Sequence, residues 1–297
     1  MSKRRSHPPT LIRRAEREIR EGGLIERGMR VLAGVSGGPD SMALLHVLSV
    51  LRSKVGFELI AHAVDHGLRA EAMGEVALAE EQARLLGVPF GVSRLRVEAG
   101  GNLQARARTA RLGALREQAR LRGAVRIALG HHADDRAETV LQRILRGSGP
   151  AGLAVLAPRG GDLIRPFVRA RRSDVIDHLQ RHGIPFAQDP SNEDRRFLRA
   201  RVRADLLPML ESLSPRIVQH LCSLADDLGA LGLTTSPLGR AQLRELGRAA
   251  SQQRTGVRVS VPGGRVATVD VCTGRIVVEA PEDVKGARKP RQRPDEA

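Results

Sequence analysis

Short apolar runs alternate with longer amphipathic ones through the first half of the chain. Arg30–Val35 (RVLAGV) is apolar and ends in small residues, which suits a buried strand. Met42–Leu51 is almost wholly apolar and long enough for a buried helix. Phe57–Val64 repeats the strand pattern. Glu71–Leu86 reads as a helix stopped by Gly87 with Pro89 beyond it, and a weaker third strand runs from Pro89 to Val92 or Val97. The next helix extends from Asn102, a candidate N-cap, to Gly123. Val125–Leu129 is a fourth strand, and Asp135–Arg146 is a helix with Val140, Leu141, Ile144 and Leu145 on its apolar face. Ahead of them all, Leu11–Glu26 sets Leu11, Ile12, Ala15, Ile19 and Leu24 among charges, as an amphipathic helix does. Strands alternating with helices through residue 146 predict right-handed crossovers and an α/β fold with a doubly wound parallel sheet.

Beyond Gly147–Pro150 the periodicity weakens. Leu163–Phe167 reads as a strand or extended piece, Ser173 as the cap of a helix ending at Gly183, and Asp189–Asn192 as a turn. Leu206–Leu233 reads as helical with breaks near Pro208 and Pro215, and alternating Val, Ile and Gly from Val257 onward predict a few short strands. The end, KGARKPRQRPDEA, is charged and Pro-bearing, a composition that favours disorder. The expected division is a basic segment and opening helix at 1–29, an α/β domain over 30–215, a small mixed α+β region over 216–280 and a basic tail at 281–297.

The chemistry gathers where predicted strands end. Ser36-Gly37-Gly38-Pro39-Asp40-Ser41 joins the first strand to its helix, and such a turn makes an anion site because first-turn amides and the helix dipole face it. It is not a Walker A loop, which ends in Gly-Lys-Ser/Thr, and Gly34, Gly37 and Gly38 lack the spacing of a dinucleotide fingerprint. Asp40 would repel a phosphate unless a cation lay between them, so a magnesium-bridged role suits it. A helix cap by Asp40 or Ser41 is the structural alternative. Asp65-His66 follows the second strand and His131–Asp135 the fourth, so three polar clusters share one rim of the sheet.

Composition narrows the function classes. The chain has 297 residues, 49 Lys+Arg against 33 Asp+Glu and a net charge of +16, which implies polyanionic partners. Trp and Tyr are absent and Phe occurs five times, which argues against binding single strands by base stacking. Cys222 and Cys272 form no C-x-x-C, so neither a disulfide framework nor a zinc or iron–sulfur site is indicated. MSKRRSHPPT has no apolar core after its basic residues, and no apolar run reaches membrane-spanning length. Cytoplasm, with no membrane partner, is the expectation.

SGGPDS matches the SGGxDS loop of the N-type ATP pyrophosphatases, the PP-loop superfamily. From about Arg30 to Leu210 the chain resembles the bacterial tRNA(Ile)-lysidine synthetases. The resemblance rests also on AVDHGLR (Ala63–Arg69), NLQARARTARL (Asn102–Leu112), GHHADDRAETVLQRILRGSGPAGL (Gly130–Leu153), LIRPF (Leu163–Phe167) and DPSNEDRRFLRARVR (Asp189–Arg203). It implies a Rossmann-like PP-loop ATPase fold that uses ATP and Mg2+ to adenylate C2 of the wobble cytidine of a CAU-anticodon tRNA(Ile). Free L-lysine then displaces AMP, giving lysidine. It implies ATP contacts from Ser36, Gly37, Gly38, Pro39, Asp40, Ser41, Ala63 and His131, with Asp40 meeting magnesium through the phosphates. Asp135 and Glu138 are implied to bind lysine, one of them placed to take its ammonium proton, with Arg108 contacting substrate or the activated intermediate. Arg111, Arg195, Arg199, Arg201 and Arg203 are implied to meet tRNA, and family members of this size imply a homodimer.

Plainer readings stand beside these. Asp135 and Glu138, at i and i+3, could be ordinary first-turn acids, with Asp134 a cap. The arginines around Arg108 and Arg195–Arg203 could be solvated faces, and either His131 or His132 could line the nucleotide site, with His66 equally open. Gln104 stands where the family commonly has Glu, Leu112 where Tyr is common, and Ala200 interrupts what is often Arg-Asn-Arg. The alternatives in function are a tRNA thiolation enzyme of the same superfamily and a basic RNA-binding protein with a decayed ATP site.

Overall fold

The computed structural model describes residues 10–65, 72–95, 103–187, 195–231, 240–252, 254, 257–261, 265–270 and 275–279. His66, Asn102, the Asp189–Asn192 turn and the C-terminal tail lie outside these. Contacts divide the chain into two units: the described residues of Met1–Gly147 and Leu153–Gly232, and those of Ser148–Gly152 and Leu233–Ala297.

The first unit is built on a six-stranded sheet. β1 (Arg30–Val35) is buried at every position but its first, as its apolar run requires. It pairs in parallel with β2 (Glu58–Asp65) on one side and β4 (Arg126–Ala128) on the other. β3 (Phe90–Arg94) extends the sheet beyond β2, and β6 (Leu163–Ile164) beyond β4, both in parallel. β5 (Arg159–Gly160) closes the edge antiparallel, giving the order β3-β2-β1-β4-β6-β5. The chain steps outward from β1 to β3, then returns to set β4 on the opposite side of β1. That reversal opens a crevice at the carboxyl ends of β1 and β4, where ligands bind in such sheets.

On one face, α2 (Pro39–Val55) buries Met42, Leu44, Leu45, Leu48 and Leu51. It is packed by α1 (Leu11–Glu21), α3 (Ala72–Leu85) and α7 (Arg172–His182). Each such leucine contributes about 1.5–3 kcal/mol relative to exposure. On the other face Leu115 and Ala119 of α4 (Leu103–Leu121) pack against Leu32, Ile127 and Leu129. A third cluster joins α5 (Ala133–Leu145) to the helices that follow the sheet. These are α8 (Leu198–Arg201), a π-helical turn (Val202–Leu206), α9 (Leu207–Leu213) and α10 (Ile217–Ala230), with Val140, Val202, Leu207, Val218 and Ala225 at its centre. The break expected after residue 215 falls between α9 and α10 of this one unit.

One local expectation is corrected. Ser173 is not the cap of α7. Arg171 holds that position, and its N–H donates to Asp174 Oδ2 at 2.8 Å, while Gly183 ends the helix in the left-handed region as expected. The break expected near Pro215 separates α9 from α10, and Pro208 lies in the first turn of α9, where its missing N–H costs nothing. α6 (Pro150–Leu153) is a single turn. In the second unit β7 (Arg258–Val261), β8 (Arg265–Asp270) and β9 (Arg275–Glu279) form an antiparallel sheet, and Leu246 of α11 (Arg240–Ser251) packs with Val259 and Ala267. No helix among the described residues is long and apolar enough to cross a membrane.

Candidate functional site

The Ser36–Ser41 turn is held by its own serines. Ser36 N donates to Ser41 Oγ at 3.0 Å, and Ser41 Oγ donates to Gly38 O at 2.9 Å. Gly38, not Asp40 or Ser41, is the N-cap residue of α2, and Pro39 opens the helix. Asp40 therefore has no capping task, and its Oδ1 is buried without a hydrogen-bond partner among the described residues. Gly37 sits at φ +74°, and a Cβ there would lie 2.4 Å from Glu75 O. Gly37→Ala is expected to cost at least about 2 kcal/mol from backbone strain and to distort the anion turn. Urea unfolding beside ATP titration checks this, and unchanged values for both would show that the turn tolerates a side chain.

The β4–α5 turn presses on this loop, since a Cβ on Gly130 would come 2.6 Å from Asp40 O. His132 caps α5: its Nδ1 accepts from Asp135 N at 3.3 Å, while its own N–H donates to Asp135 Oδ2 at 3.1 Å. With Nδ1 occupied as an acceptor, the neutral ring carries its proton on Nε2. That nitrogen faces Asp40 Oδ1 at 3.6 Å and Asp135 Oδ2 at 3.5 Å. Asp40, His132 and Asp135 thus offer atoms within 4.8 Å of one another. A ring N–H is no metal ligand, so the set fits a hard oxygen-seeking cation held by two carboxylates better than a nitrogen-seeking one. His132, rather than His131, is the ring that meets Asp40.

Electrostatics separate the two carboxylates. Burial raises the Asp40 pKa above its ordinary value, with His132 opposing and Asp135 adding to the rise. Burial would also raise Asp135, but His132, Arg199 and His131, together with the His132 N–H, hold it below the ordinary value. His131 is pushed down to about 3 by burial, and its Nδ1 is buried without a partner among the described residues. Asp40 is the carboxylate short of positive charge.

Glu138, one turn along α5, is 1% exposed. Arg203 Nε donates to its Oε1 at 2.5 Å and Arg199 Nε to its Oε2 at 3.0 Å, while Arg199 Nη2 reaches Asp135 Oδ1 at 2.5 Å. Two arginines expected to face tRNA are therefore turned onto the two carboxylates expected to face lysine. Arg195 pairs with Asp205 at 3.1 Å, and Arg201 is exposed. Asp134 is no helix cap: it accepts from the Arg171 guanidinium at 2.9 Å and from Arg172 N at 2.8 Å. Ala63 is fully buried in β2, paired with Val35.

Arg108 and Arg111 on α4 make no hydrogen bond or ion pair among the described residues. Burial and then Arg199 push the Arg108 pKa below the ordinary value, and burial and then Arg108 do the same to Arg111. Asp135 opposes the shift of Arg108 only in part, and two adjacent guanidiniums with no ion pair among the described residues are suited to an anionic ligand. Sequence reasoning missed Arg136 and its partner Asp226, because an arginine in a charged motif carries no sign of being 1% exposed.

A glycine turn built for anions, two carboxylates beside it and a sheet that reverses order at that point define an α/β phosphate-handling domain. The family model described as the PP-loop domain matches residues 10–210, and the chain belongs to that family, which implies an ATP site. Among curated proteins it is similar to the tRNA(Ile)-lysidine synthase of Leifsonia xyli, with 42% identity over 203 residues, 68% of this chain and 61% of that protein. It is also 38% identical over 259 residues to the tRNA(Ile)-lysidine synthase of Symbiobacterium thermophilum, covering 82% of this chain and 54% of that one. The chain thus spans less than two thirds of the length of either relative. Among solved structures its fold resembles the U34-tRNA thiolase NcsA from Methanococcus maripaludis, with a TM-score of 0.64 at 18% identity over 73% of this chain and 78% of that one.

Proposed function

We propose that this chain ligates free L-lysine to C2 of the wobble cytidine of a CAU-anticodon tRNA(Ile), consuming ATP. One observation carries the reading: Asp40 of the anion turn and Asp135 of α5 offer carboxylate oxygens within 4.8 Å of each other, and Arg199 joins Asp135 to Glu138 one turn along the same helix. Relatives named for this reaction, at about 40% identity over most of the chain, support it.

The reaction has two halves. The C2 carbonyl oxygen attacks the α-phosphate of ATP and pyrophosphate leaves. The lysine ε-amine then attacks C2, forming the C2–N bond, and the C2–O bond breaks as AMP departs carrying the former C2 oxygen. In the first half the turn amides of α2 hold the phosphates, and Asp40 and Asp135 are the residues that would hold Mg2+. When bound, that ion supplies neutralisation of the leaving charge. Arg108 and Arg111 lie on α4 with no ion pair among the described residues, as cations suited to nucleotide or RNA phosphates. In the second half the lysine ammonium needs anions around it and must lose a proton before attack. Asp135 and Glu138 supply both functions, and lysine must compete there with Arg199 and Arg203.

Thiolation by a cysteine relay is disfavoured. Cys222 is buried, burial pushes its thiol up to about 11, and Sγ donates to Ala133 O at 3.5 Å, the setting of an inert cysteine.

The test is pyrophosphate release from ATP by the protein with a CAU-anticodon tRNA(Ile) transcript, with and without lysine, and mass analysis of the product nucleoside. Lysidine formation is the expected result. Turnover with sulfide but not lysine, or RNA binding with no turnover, overturns the proposal. Glu138→Gln is expected to raise the KM for lysine by about 10- to 100-fold while largely preserving lysine-independent pyrophosphate release. Equal loss of both halves would assign Glu138 to adenylation or to folding instead.

A further inference from the structure

Two guanidiniums already occupy the carboxylates assigned above to lysine. Arg199 Nη2 donates to Asp135 Oδ1 at 2.5 Å, and its Nε donates to Glu138 Oε2 at 3.0 Å. Arg203 Nε donates to Glu138 Oε1 at 2.5 Å, and its Nη2 donates to Oε2 at 3.1 Å. The remaining oxygen, Asp135 Oδ2, accepts from the His132 N–H. A lysine ammonium entering here meets no carboxylate oxygen without a donor.

The two sides of this pairing are unevenly buried. The side chains of Asp135 and Glu138 are 7% and 1% exposed, whereas those of Arg199 and Arg203 are 45% and 28% exposed. The guanidiniums thus lie between the acids and solvent. Ala200 and Val202 of the same segment are buried, Val202 in the cluster that holds α5, so the backbone is anchored while the arginine side chains can turn outward. Arg195 and Arg201 of this stretch are exposed, which makes it a surface that attracts a polyanion. A phosphate accepts from a guanidinium in the same bidentate manner as a carboxylate, so it can take either arginine over without loss of bonding.

We propose that Arg199 and Arg203 are positioning residues that close the lysine carboxylates in the free protein and release them when RNA phosphates draw the guanidiniums away. The proposal rests on the ligation reading above and adds an order to it. Two buried carboxylates stripped of their cations are costly, and the lysine ammonium is the cation that replaces the arginines. RNA and lysine therefore bind cooperatively, and by linkage each tightens the other by the same factor. The arrangement keeps the nucleophilic amine out of the crevice while no cytidine is there to be activated.

Equilibrium dialysis of radiolabelled L-lysine against the full chain, with and without a CAU-anticodon tRNA(Ile) transcript and in the absence of ATP, reads the coupling. The transcript is expected to tighten lysine binding by about tenfold or more, the factor for carboxylates that are open about one tenth of the time in the free protein. Saturating lysine is expected to tighten transcript binding equally. Arg199→Gln leaves Arg203 on Glu138. It is expected to lose most of the coupling through tighter lysine binding without the transcript, a gain that a merely structural residue would not give. Arg199→Lys, which keeps a cation there, is expected to restore most of the coupling. Equal lysine affinity with and without transcript in the parent, or full coupling in Arg199→Gln, overturns the proposal. Lysidine formation at saturating lysine separates the two failures. Product without coupling removes this gate alone, whereas no product from the parent removes the ligation reading and the gate with it.

Discussion

Asp40→Asn is expected to reduce pyrophosphate release by at least about 10³-fold while the melting temperature holds or rises. The two halves of that result share one cause. Asp40 Oδ1 is buried without a partner, and burial together with Asp135 raises its pKa, so the free protein carries this charge at a cost. A carboxyl group whose folded pKa is raised lends stability when protonated at low pH and loses it as pH rises through that value. At neutral pH the carboxylate is therefore a burden that only a bound cation relieves. The side chain is 39% exposed, so solvent screening keeps the burden small. Asparagine keeps the shape, removes the repulsion with Asp135 and cannot neutralise a cation bound beside the phosphates. Pyrophosphate release with the cognate transcript, paired with thermal unfolding, checks both halves. A variant that unfolds more readily, or one that keeps its rate, would show Asp40 to be a structural residue of the α2 N-terminus.

The arrangement of Arg199 and Arg203 changes what the basic charge of this chain means. A net +16 invites the reading that every arginine run awaits RNA, yet these two spend their charge on Asp135 and Glu138. Arg108 and Arg111 of α4, which make no ion pair among the described residues, are better suited to anionic ligands. Charge counts from sequence therefore overstate the free positive surface around the site, and pairing has to be settled arginine by arginine.

Much of the first unit was legible because its signals are local. The apolar run Arg30–Val35, the Gly-Gly turn and the apolar helix after it announce themselves within twenty-odd residues, and the strand–helix alternation follows from period alone. The rim of the crevice was legible too, since nothing in helical or strand periodicity calls for His131–Asp135 after a strand. What stayed hidden was long-range pairing. Arg199 and a solvated arginine look alike in sequence, because the partners that distinguish them lie 61 and 64 residues away. The spacing of His178 and His182 is visible in the sequence, but His46 joins them only through the packing of α2 on α7, 132 residues apart. Strand lengths failed for a related reason. β4 and β6 are three and two residues long because a ladder extends only as far as its neighbours supply partners, which apolarity alone does not report.

Asp226→Ala is expected to destabilise the first unit by about 3 kcal/mol or more, at the lower end of the 3–5 kcal/mol typical of breaking a buried ion pair. Arg136 is 1% exposed on α5, with Nε donating to Val155 O at 2.9 Å and Nη1 2.7 Å from Asp226 Oδ1 on α10. Asp226 Oδ2 also accepts from Arg169, which reaches Glu18 of α1 at 3.1 Å. Removing the carboxylate leaves a buried guanidinium with one neutral acceptor. The aspartate is 26% exposed, so water relieves part of the cost. Arg136→Met is expected to cost much less: methionine fills similar space, and Asp226 keeps Arg169 and its contact with water. By contrast the pair of Arg17 and Glu21, 75% and 66% exposed, lies in solvent and adds little to stability. Arg136 stands between Asp135 and Glu138 on the same helix, so loosening its hold on α10 frees the helix that carries both carboxylates. Urea unfolding of Asp226→Ala and Arg136→Met, compared at equal m-value, is the check. If Asp226→Ala proves the milder of the two, Arg136 is held by its packing, and the ion pair does not set how α5 docks.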